Sequence, residues 1–348
     1  MIKIVIWGTG SRSCELMSSL HIDYIEIVAF IDNDTEKHGE FFGHPVYSPD
    51  KLTELDYDNI YIASVFYDAI VEQALKIGVP RDRIFPSGAL YFLQQSEKIE
   101  KEQLVEMKSL PFWYHKFEIL PGVMTPGICN YKPYLLQHPE VRDAAGKNVL
   151  DIGAWDGPYT LEMSRRGASV TGFDIQPPDN SAFNLTCRVN KIKAKHICAN
   201  VYDLSPKAHG LFDIVLFFGV YYHLKNPLLA FENINAVLPM GGLMLFEGAI
   251  LEGAPKVDSF WREHADLVPL LRTIPYAYYV KDTYECEWSN WWVPNMVCLE
   301  QWIESSGFEV IRMDTAEGDT RGYGLARKVA EIGQEHIVLP AHCQSDVQ

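Results

Sequence analysis

The segment that most constrains the fold is residues 147–175. It begins with the apolar run Val149-Leu-Asp-Ile152, enters a glycine turn at 153–157, and closes with a second apolar run that ends in Asp174. In a strand, glycine turn, helix and strand of this kind, backbone N–H groups approach a ligand and the terminal acid accepts ribose hydroxyls. The sequence therefore predicts a nucleotide-type cofactor site at this turn.

The turn also discriminates between cofactors. Trp155 stands where a dinucleotide fingerprint needs glycine, so that the backbone can approach a pyrophosphate. A bulky indole favours a ligand without phosphate, such as S-adenosylmethionine. Asp151 suits the cationic amino end of that ligand, and Asp174 follows Gly153 by 21 residues, the reach of the ribose. The alternative is a Rossmann-like turn that holds no ligand.

Further strands are predicted over 195–201, 212–220 and 241–247, with a helix from Asn226-Pro227 to about residue 238. Strands that alternate with helices imply an α/β fold with a mostly parallel sheet, in which ligands bind beyond the carboxyl ends of the strands. The predicted cofactor contacts all lie at such ends: Asp151, Gly153, Trp155, Asp174, Ile175, Asn200, Val201, Phe218 and Tyr222.

The first 90 residues repeat the pattern, which predicts two Rossmann-like doubly wound sheets. A strand over 2–7 enters the turn Gly8-Thr-Gly-Ser-Arg-Ser13, and a second strand over 25–32 ends in Asp32. The motif Gly-x-Gly-x-x-Ser predicts a nucleotide-sugar or NAD(P) pocket at Gly8, Gly10, Arg12 and Asp32, where the guanidinium would pair with a phosphate. The alternative is a domain that retains the fold without a ligand and serves homodimer formation or docking.

Four segments follow one another in an order that resembles the class I S-adenosylmethionine-dependent methyltransferases. They are Trp113–Gly122, Val149–Gly153, Gly219–Leu224 with Asn226-Pro227, and Trp291–Asn295. The resemblance is narrower to the branch of the tRNA carboxymethoxyuridine methyltransferase and its small-molecule relatives. It implies a class I methyltransferase domain over 113–330, with Trp113, His115 and Lys116 beside the site. Trp155 departs from the tRNA enzyme's pattern, which puts the tRNA substrate in doubt more than the cofactor.

The segments Phe30–Asp34 and Gly43–Pro49 resemble the N-terminal domain of bacterial sugar-nucleotide acyltransferases and dehydratases. This resemblance implies a nucleotide-sugar or dinucleotide pocket near Gly8. Residues 91–112 are polar with alternating charge, and we predict a helical linker there. Residues 331–348 are predicted to form a tail.

Charge and cysteine content exclude several classes of function. The net charge is −16, with −8 in residues 1–110 (10 basic against 18 acidic) and −8 in the remainder (20 against 28). Neither part has the basic excess that a phosphate backbone requires, so no nucleic-acid partner is expected. No run is apolar enough for a membrane span, and seven scattered cysteines favour reduced thiols in the cytoplasm. We expect no metal site.

Methyl transfer to a hydroxyl needs a base, and His223 is the first candidate because it follows the fourth strand and titrates near neutral pH. Its alternative role is helix capping, and His264 and Glu247 are the other candidates for the base. The predicted substrate contacts are His115, Lys116, Tyr222, Trp291, Trp292 and Asn295. The predicted function is O-methylation of a sugar or nucleotide-linked sugar in glycan or secondary-metabolite synthesis. The alternatives are a tRNA wobble-uridine methyltransferase and an NAD-dependent sugar-nucleotide enzyme, or a binding module, working through the N-terminal domain.

Overall fold

The computed structural model describes residues 1–21, 23–110, 112–252, 263, 266, 268–280, 289–318 and 320–332. Up to residue 132 the elements are β1 (Ile2–Trp7), α1 (Ser11–Ser19), β2 (Ile25–Ile31), β3 (Gly39–Phe41), β4 (His44–Tyr47), β5 (Asn59–Ile62), α2 (Tyr67–Ile77), β6 (Ile84–Pro86), α3 (Ala89–Gln94), α4 (Lys101–Ser109), β7 (His115–Lys116), β8 (Glu118–Leu120), β9 (Val123–Met124) and β10 (Cys129–Asn130).

The later elements are β11 (Asn148–Ile152), α5 (Pro158–Arg165), β12 (Ser169–Asp174), α6 (Phe183–Val189), β13 (Lys195–Cys198), α7 (Pro206–His209), β14 (Ile214–Phe218), α8 (Pro227–Ala236), β15 (Leu243–Ala249), α9 (Val268–Leu271), β16 (Ala277–Tyr279), β17 (Trp292–Pro294), α10 (Met296–Ser305), β18 (Phe308–Ala316) and β19 (Arg321–Lys328). Short 3₁₀ helices connect them, among them Val201–Asp203 and Tyr221–His223. Among the residues covered, no helix has the length and apolar content to cross a bilayer.

The first sheet has six strands in the order β3-β4-β2-β1-β5-β6. β1 pairs in parallel with both β2 and β5, and only β3 runs antiparallel to its neighbour. β1 is buried on both faces, because Val5 and Trp7 pack in the cluster with α2 while Ile4 and Ile6 pack in a second cluster with Leu16. This burial explains why β1 reads as a continuous apolar run.

The second sheet has seven strands in the order β13-β12-β11-β14-β15-β19-β18. The first five are parallel to one another, whereas β19 is antiparallel to both β15 and β18. All five residues of β14 are buried, as the predicted central strand requires. The predicted fold class, with two Rossmann-like sheets of which the second has the class I methyltransferase arrangement, is confirmed.

The chain divides into two compact units that are interleaved along the sequence. The first unit comprises residues 1–132, 155–161 and 176–192, and the second comprises 133–154, 162–175 and 193–348. The first unit thus includes the segment after residue 112 and α6, and the domain limit predicted at 112/113 falls inside it. The second unit contains the whole seven-stranded sheet.

Within the first unit, the helical linker predicted over 91–112 is not one helix, because it holds the end of α3 and the whole of α4. α3 ends at Gln94 and α4 begins at Lys101. Ile99 between them adopts an extended conformation and is 8% exposed, packed in a cluster with Phe92, Met107 and other apolar side chains. The helix is interrupted because this isoleucine gains more from burial than from continuing an exposed helix.

Candidate functional site

The first residue of the glycine turn after β11, which lies in the second unit, has no room for a side chain. Gly153 has φ +77°, and a Cβ atom built on it would lie 2.5 Å from Cγ2 of Val220. The Gly153 N–H donates to the Phe173 carbonyl at 2.8 Å, which holds the turn beside the end of β12. Only glycine meets both demands, because an L side chain would be strained at this φ and would collide with Val220.

The predicted ribose acid lies directly beside this turn. Asp174 ends β12, and its side chain is mostly buried at 7% exposure, whereas the next residue, Ile175, is 65% exposed. Asp151 is buried one residue before the end of β11. Burial lowers the pKa of His196 in β13, and the Asp174 carboxylate opposes that shift. The structure therefore brings together three of the predicted contacts: Gly153, Asp174 and Ile175.

The strand predicted over 195–201 ends earlier than predicted. β13 ends at Cys198, and the Asn200 side chain accepts the Tyr202 N–H at 3.0 Å, which starts the 3₁₀ helix Val201–Asp203. Val201 is buried, and so is Phe218 at the end of β14. The oxygen of the Asn200 side chain is thus already used as a helix cap.

A buried ion pair at the end of β15 was not predicted. The Arg321 guanidinium donates to both carboxylate oxygens of Glu247, at 2.7 and 2.9 Å, and to the Tyr222 hydroxyl at 3.3 Å. Burial alone would lower the pKa of Arg321, but Tyr222 and Glu247 outweigh burial and raise it. The predicted role of Glu247 as a base is corrected, since a carboxylate that holds a guanidinium by two hydrogen bonds is stabilised in its charged form.

The 3₁₀ helix Tyr221–His223 begins after Gly219 and carries two predicted residues. Nδ1 of His223 lies 2.9 Å from the hydroxyl of Ser289 and 3.3 Å from its carbonyl oxygen. The Tyr222 side chain is 7% exposed, and the Tyr222 carbonyl accepts the Trp291 N–H at 2.8 Å. The ring of His223 is therefore oriented by Ser289.

Aromatic side chains cluster beside this helix, still within the second unit. The ring of Tyr279 lies 5.0 Å from that of Trp292 and 6.4 Å from that of Trp291. The Lys225 ammonium sits 4.4 Å from the Trp291 ring centroid, and the Trp292 indole donates to the Lys225 carbonyl at 3.0 Å. Tyr279 is 51% exposed, so this aromatic cluster (Tyr279, Trp291 and Trp292) is accessible at the surface of the unit.

Asn295 has a structural role in place of the predicted substrate contact. It is fully buried and caps α10, since its side-chain oxygen accepts the N–H groups of Cys298 and Tyr276. Its amide nitrogen donates to the carbonyls of Leu271 and Ile274. These four bonds occupy the amide group. The other candidate base, His264, lies outside the described residues.

The segment before the methyltransferase sheet belongs to the first unit. Trp113 is buried between Phe92 and Phe117, with ring centroids 5.4 and 6.4 Å away, which makes it a core residue rather than one that borders a site. His115 is partly buried in β7, and Lys116 is exposed. Their substrate contact stays a prediction.

Asp156 organises this segment, and sequence reasoning missed it. Its carboxylate is fully buried and accepts the N–H groups of Tyr114 and His115, each at 2.7 Å, and that of Ala182 at 3.2 Å. The preceding residue, Trp155, has φ +43°, a left-handed conformation that is rare for a bulky side chain. Its ring lies 5.7 Å from that of Tyr114. No sequence pattern distinguishes such a carboxylate from an ordinary turn aspartate.

The N-terminal glycine loop lines a cavity of about 570 Å³ in the first unit, and the lining includes Gly8, Gly10, Arg12 and Asp32. Gly8 has φ +117°, and a Cβ on it would lie 2.7 Å from the Ala63 carbonyl oxygen. The Asp32 carboxylate accepts the N–H and the hydroxyl of Thr9, at 3.0 and 2.6 Å. The structure thus brings together the four predicted residues but commits Asp32 to the loop itself.

Among the residues that the structure describes, no group of three His, Cys, Asp or Glu side chains is placed to hold a metal ion. A sheet of seven strands in which only β19 runs against the other six, a glycine turn after β11 and an acid at the end of β12 define a class I methyltransferase. The family model for a methyltransferase domain matches residues 129–312, which is 184 of 348 residues, and the chain belongs to this family. A second model, described as C2185-like, N-terminal, matches residues 1–85.

Several relatives with names match part of this chain. The tRNA U34 carboxymethyltransferase of Wolinella succinogenes is 26% identical over 236 residues, which covers 67% of this chain and 75% of that protein. The protein of the same name from Stutzerimonas stutzeri is 30% identical over 172 residues, or 49% of this chain and 48% of its own length. The chain thus spans only about half the length of this second relative.

Two solved structures are also similar to part of this chain. The N-terminal domain of EvdMO1, solved with SAH bound, is 19% identical with a TM-score of 0.47, and the match covers 68% of this chain and 99% of that one. The 1,6-didemethyltoxoflavin-N1-methyltransferase of Burkholderia thailandensis, solved with 1,6-didemethyltoxoflavin and S-adenosylhomocysteine bound, is 17% identical with a TM-score of 0.39, over 53% and 72% of the two chains.

Proposed function

We propose that this methyltransferase uses S-adenosylmethionine to methylate a hydroxyl group of a sugar-type small molecule. The observation that carries the cofactor is the pair of neighbouring strand ends formed by Gly153 and Asp174. The closed turn presents backbone without side-chain bulk, and the adjacent carboxylate suits a ribose diol. The exposed Ile175 supplies an apolar surface on which an adenine ring would pack.

Calorimetry with S-adenosylhomocysteine tests the cofactor. We expect the wild-type chain to bind it and Asp174→Asn to bind it about 10- to 100-fold more weakly, since a hydrogen bond to a charged group contributes about 1.5–3 kcal/mol. Asp314→Asn is the matched control, because this exposed aspartate lies on β18 at the opposite edge of the same sheet. Equal affinity of Asp174→Asn and wild type would remove the carboxylate from the site, and no binding by wild type would overturn the cofactor.

Two observations support a sugar-type acceptor. The aromatic cluster of Tyr279, Trp291 and Trp292 offers exposed ring faces, and the apolar faces of sugars pack on such rings. The net charge of −16 disfavours a polyanionic acceptor. The Trp291 N–H donates to the Tyr222 carbonyl, which places Tyr222 beside this cluster. We therefore retain Tyr222 as a residue that contacts the methyl acceptor.

We propose His223 as the base that accepts the hydroxyl proton. The contact of Nδ1 with Ser289 orients the ring for this role. The hydroxyl oxygen would attack the methyl carbon of the sulfonium in line, so that the C–S bond breaks as the O–C bond forms and S-adenosylhomocysteine leaves. Alignment of the two reactants contributes much of the acceleration.

Turnover with a panel of free and nucleotide-linked sugars tests the acceptor and the base together. With the best acceptor, His223→Gln should lower kcat about 100-fold or more, in line with the usual contribution of a general base, while S-adenosylhomocysteine affinity stays unchanged. Ser289→Ala should lower kcat less. A His223→Gln variant with full kcat would exclude this base, and a panel without any methylated product would exclude a sugar acceptor.

The second candidate is carboxymethyl transfer to a tRNA wobble uridine, which the names of the relatives denote. One observation favours it: Arg321 beside Tyr222 is a buried guanidinium of the kind that binds a carboxylate, although Glu247 balances its charge. Filter binding with bulk tRNA discriminates. Tight binding with a steep salt dependence, followed by a carboxymethylated nucleoside in the mass spectrum, would replace the sugar proposal.

A further inference from the structure

The cavity at the N-terminal glycine loop lies within the first unit and takes no part in the methyl transfer proposed above. Its volume, about 570 Å³, falls within the range of small-molecule sites, which is about 300–1,000 Å³. The lining comes from the β1–α1 loop, the end of β2, and the loop before α2 together with the exposed face of that helix. These are the carboxyl ends of three adjacent parallel strands, where open α/β sheets bind ligands.

The two glycines of the loop are needed for different reasons. Gly8 is required by the fold, because a Cβ would meet the Ala63 carbonyl at 2.7 Å. Gly10 is not, since its φ of −87° suits any residue and a Cβ would have no neighbour within 4 Å. A glycine that neither backbone nor packing demands leaves open space at the start of α1, where a ligand can approach the backbone.

The cavity is equipped for an anion. Gly10 is the N-cap of the nine-residue helix α1 and makes no side-chain capping bond, so N–H groups of the first turn face the cavity end of the helix. The half-buried Arg12 guanidinium lies in the lining, fixed by a 3.1 Å bond to the Ser64 carbonyl and by the Phe112 ring 5.3 Å away. A guanidinium held in place beside a helix N-terminus suits bidentate binding of phosphate.

A buried donor gives independent support. Trp7 is 1% exposed and belongs to the cavity lining, and its indole N–H has no hydrogen-bond partner among the residues that the structure describes. The side chain packs on the α2 side of the sheet with Ile70, which lines the same cavity. A buried donor without a partner costs free energy that a ligand oxygen would recover.

The remaining walls select the size and type of ligand. Val65 and Phe66 are each 70% exposed at the edge of the cavity, an apolar surface suited to a flat ring. The acid that a dinucleotide site uses for the adenosine ribose is engaged largely by the protein itself, because the Asp32 carboxylate accepts the N–H and hydroxyl of Thr9 on one oxygen and the Asp34 N–H on the other. We propose that this cavity binds a nucleoside diphosphate, free or as part of a nucleotide-linked molecule, in preference to NAD(P).

Calorimetry on the full chain with UDP, ADP, NAD⁺ and inorganic phosphate tests this proposal. We expect at least one nucleoside diphosphate to bind, with NAD⁺ and phosphate each about tenfold weaker or more, the equivalent of one lost charge-assisted contact. Equal affinity for phosphate would reduce the cavity to a simple anion site and overturn the proposal. Stronger binding of NAD⁺, or no binding of any nucleotide, would overturn it as well.

Gly10→Val is the decisive variant, since its Cβ would enter the open space and meet no atom of the protein within 4 Å. It should weaken nucleotide binding about tenfold or more while S-adenosylhomocysteine binding stays as in wild type, and the loss of a glycine N-cap should lower the thermal unfolding midpoint only slightly. Ser18→Val, an equal substitution at an exposed position of α1, is the control, and Gly10→Ala is the smaller variant should valine disturb the loop. Wild-type affinity in Gly10→Val would show that the ligand binds elsewhere.

Discussion

The ion pair of Glu247 and Arg321 allows a quantitative test of the second unit. Replacing Glu247 with Gln keeps the size of the side chain but removes its charge, which leaves the guanidinium with one neutral acceptor in place of two carboxylate bonds of 2.7 and 2.9 Å. The side chain of Glu247 is 3% exposed and that of Arg321 is 18% exposed, so water can replace little of the lost interaction with the guanidinium.

Breaking a buried ion pair costs about 3–5 kcal/mol, and the partial exposure of Arg321 together with the bond that Gln retains brings our expectation to about 2–3 kcal/mol. At about 2–4 °C per kcal/mol for a unit of this size, the unfolding midpoint should fall by about 5–10 °C. Circular dichroism during heating measures the shift, once without and once with S-adenosylhomocysteine.

Two further variants identify the cause. Tyr222→Phe removes only the 3.3 Å bond to the hydroxyl and should cost about 1 kcal/mol or less. The double variant Glu247→Gln with Arg321→Met removes the stranded cation and should recover most of the loss of Glu247→Gln. If Glu247→Gln unfolds within 1 °C of wild type, or if the double variant is less stable than the single one, the ion pair does not stabilise the unit as described.

Three other predictions concern stability. Burial lowers the pKa of both His138 and His196, and the Arg312 cation also lowers that of His138, so the unfolded chain binds more protons than the folded chain below about pH 6.5. The stability that these two histidines contribute is therefore complete above that pH and falls as the pH drops through it. The variant His138→Gln should lessen the fall between pH 7.5 and 5.5, whereas His21→Gln, at an exposed position, should not. Gly248→Ala should cost about 1–3 kcal/mol, because the new Cβ would lie 2.4 Å from the buried Tyr221 ring, whereas Gly10→Ala, whose Cβ meets nothing within 4 Å, should lower the urea midpoint less. Asp156→Asn should cost about 3 kcal/mol, since an amide NH₂ would face backbone N–H donors, and equal stability with the exposed control Asp23→Asn would contradict the bonding found.

The central parallel strands of the two sheets could be predicted because strands that are buried on both faces are apolar at nearly every position. β14 is apolar at every position because all five of its residues are buried. The helix α2 runs from Tyr67 to Ile77, and its buried residues recur at helical spacing. The end of β13 was predicted three residues too late, because the capping role of Asn200 competes with the extension of the strand.

Site residues could be predicted where their place is set by neighbouring residues in the sequence, as for Gly153 after β11 and Asp174 at the end of β12. Arg321 was not, because only the antiparallel pairing of β19 with β15 brings it beside Glu247, 74 residues away. Asn295 was misjudged although its signal was present. An asparagine directly before the apolar pattern of α10 is a typical N-cap, and its side chain accepts the Cys298 N–H.

The interleaving of the two units has a consequence for how this protein can be divided. Leu161 and Leu185 are taken from the middle of the methyltransferase part of the sequence, yet they complete an apolar cluster with Phe92, Ile99 and Met107. A fragment that starts at residue 113 would expose the partners of that cluster to water, and a fragment that ends there would lack its other wall. A cut at 112/113 therefore divides one apolar cluster between two fragments, and neither fragment would retain it whole.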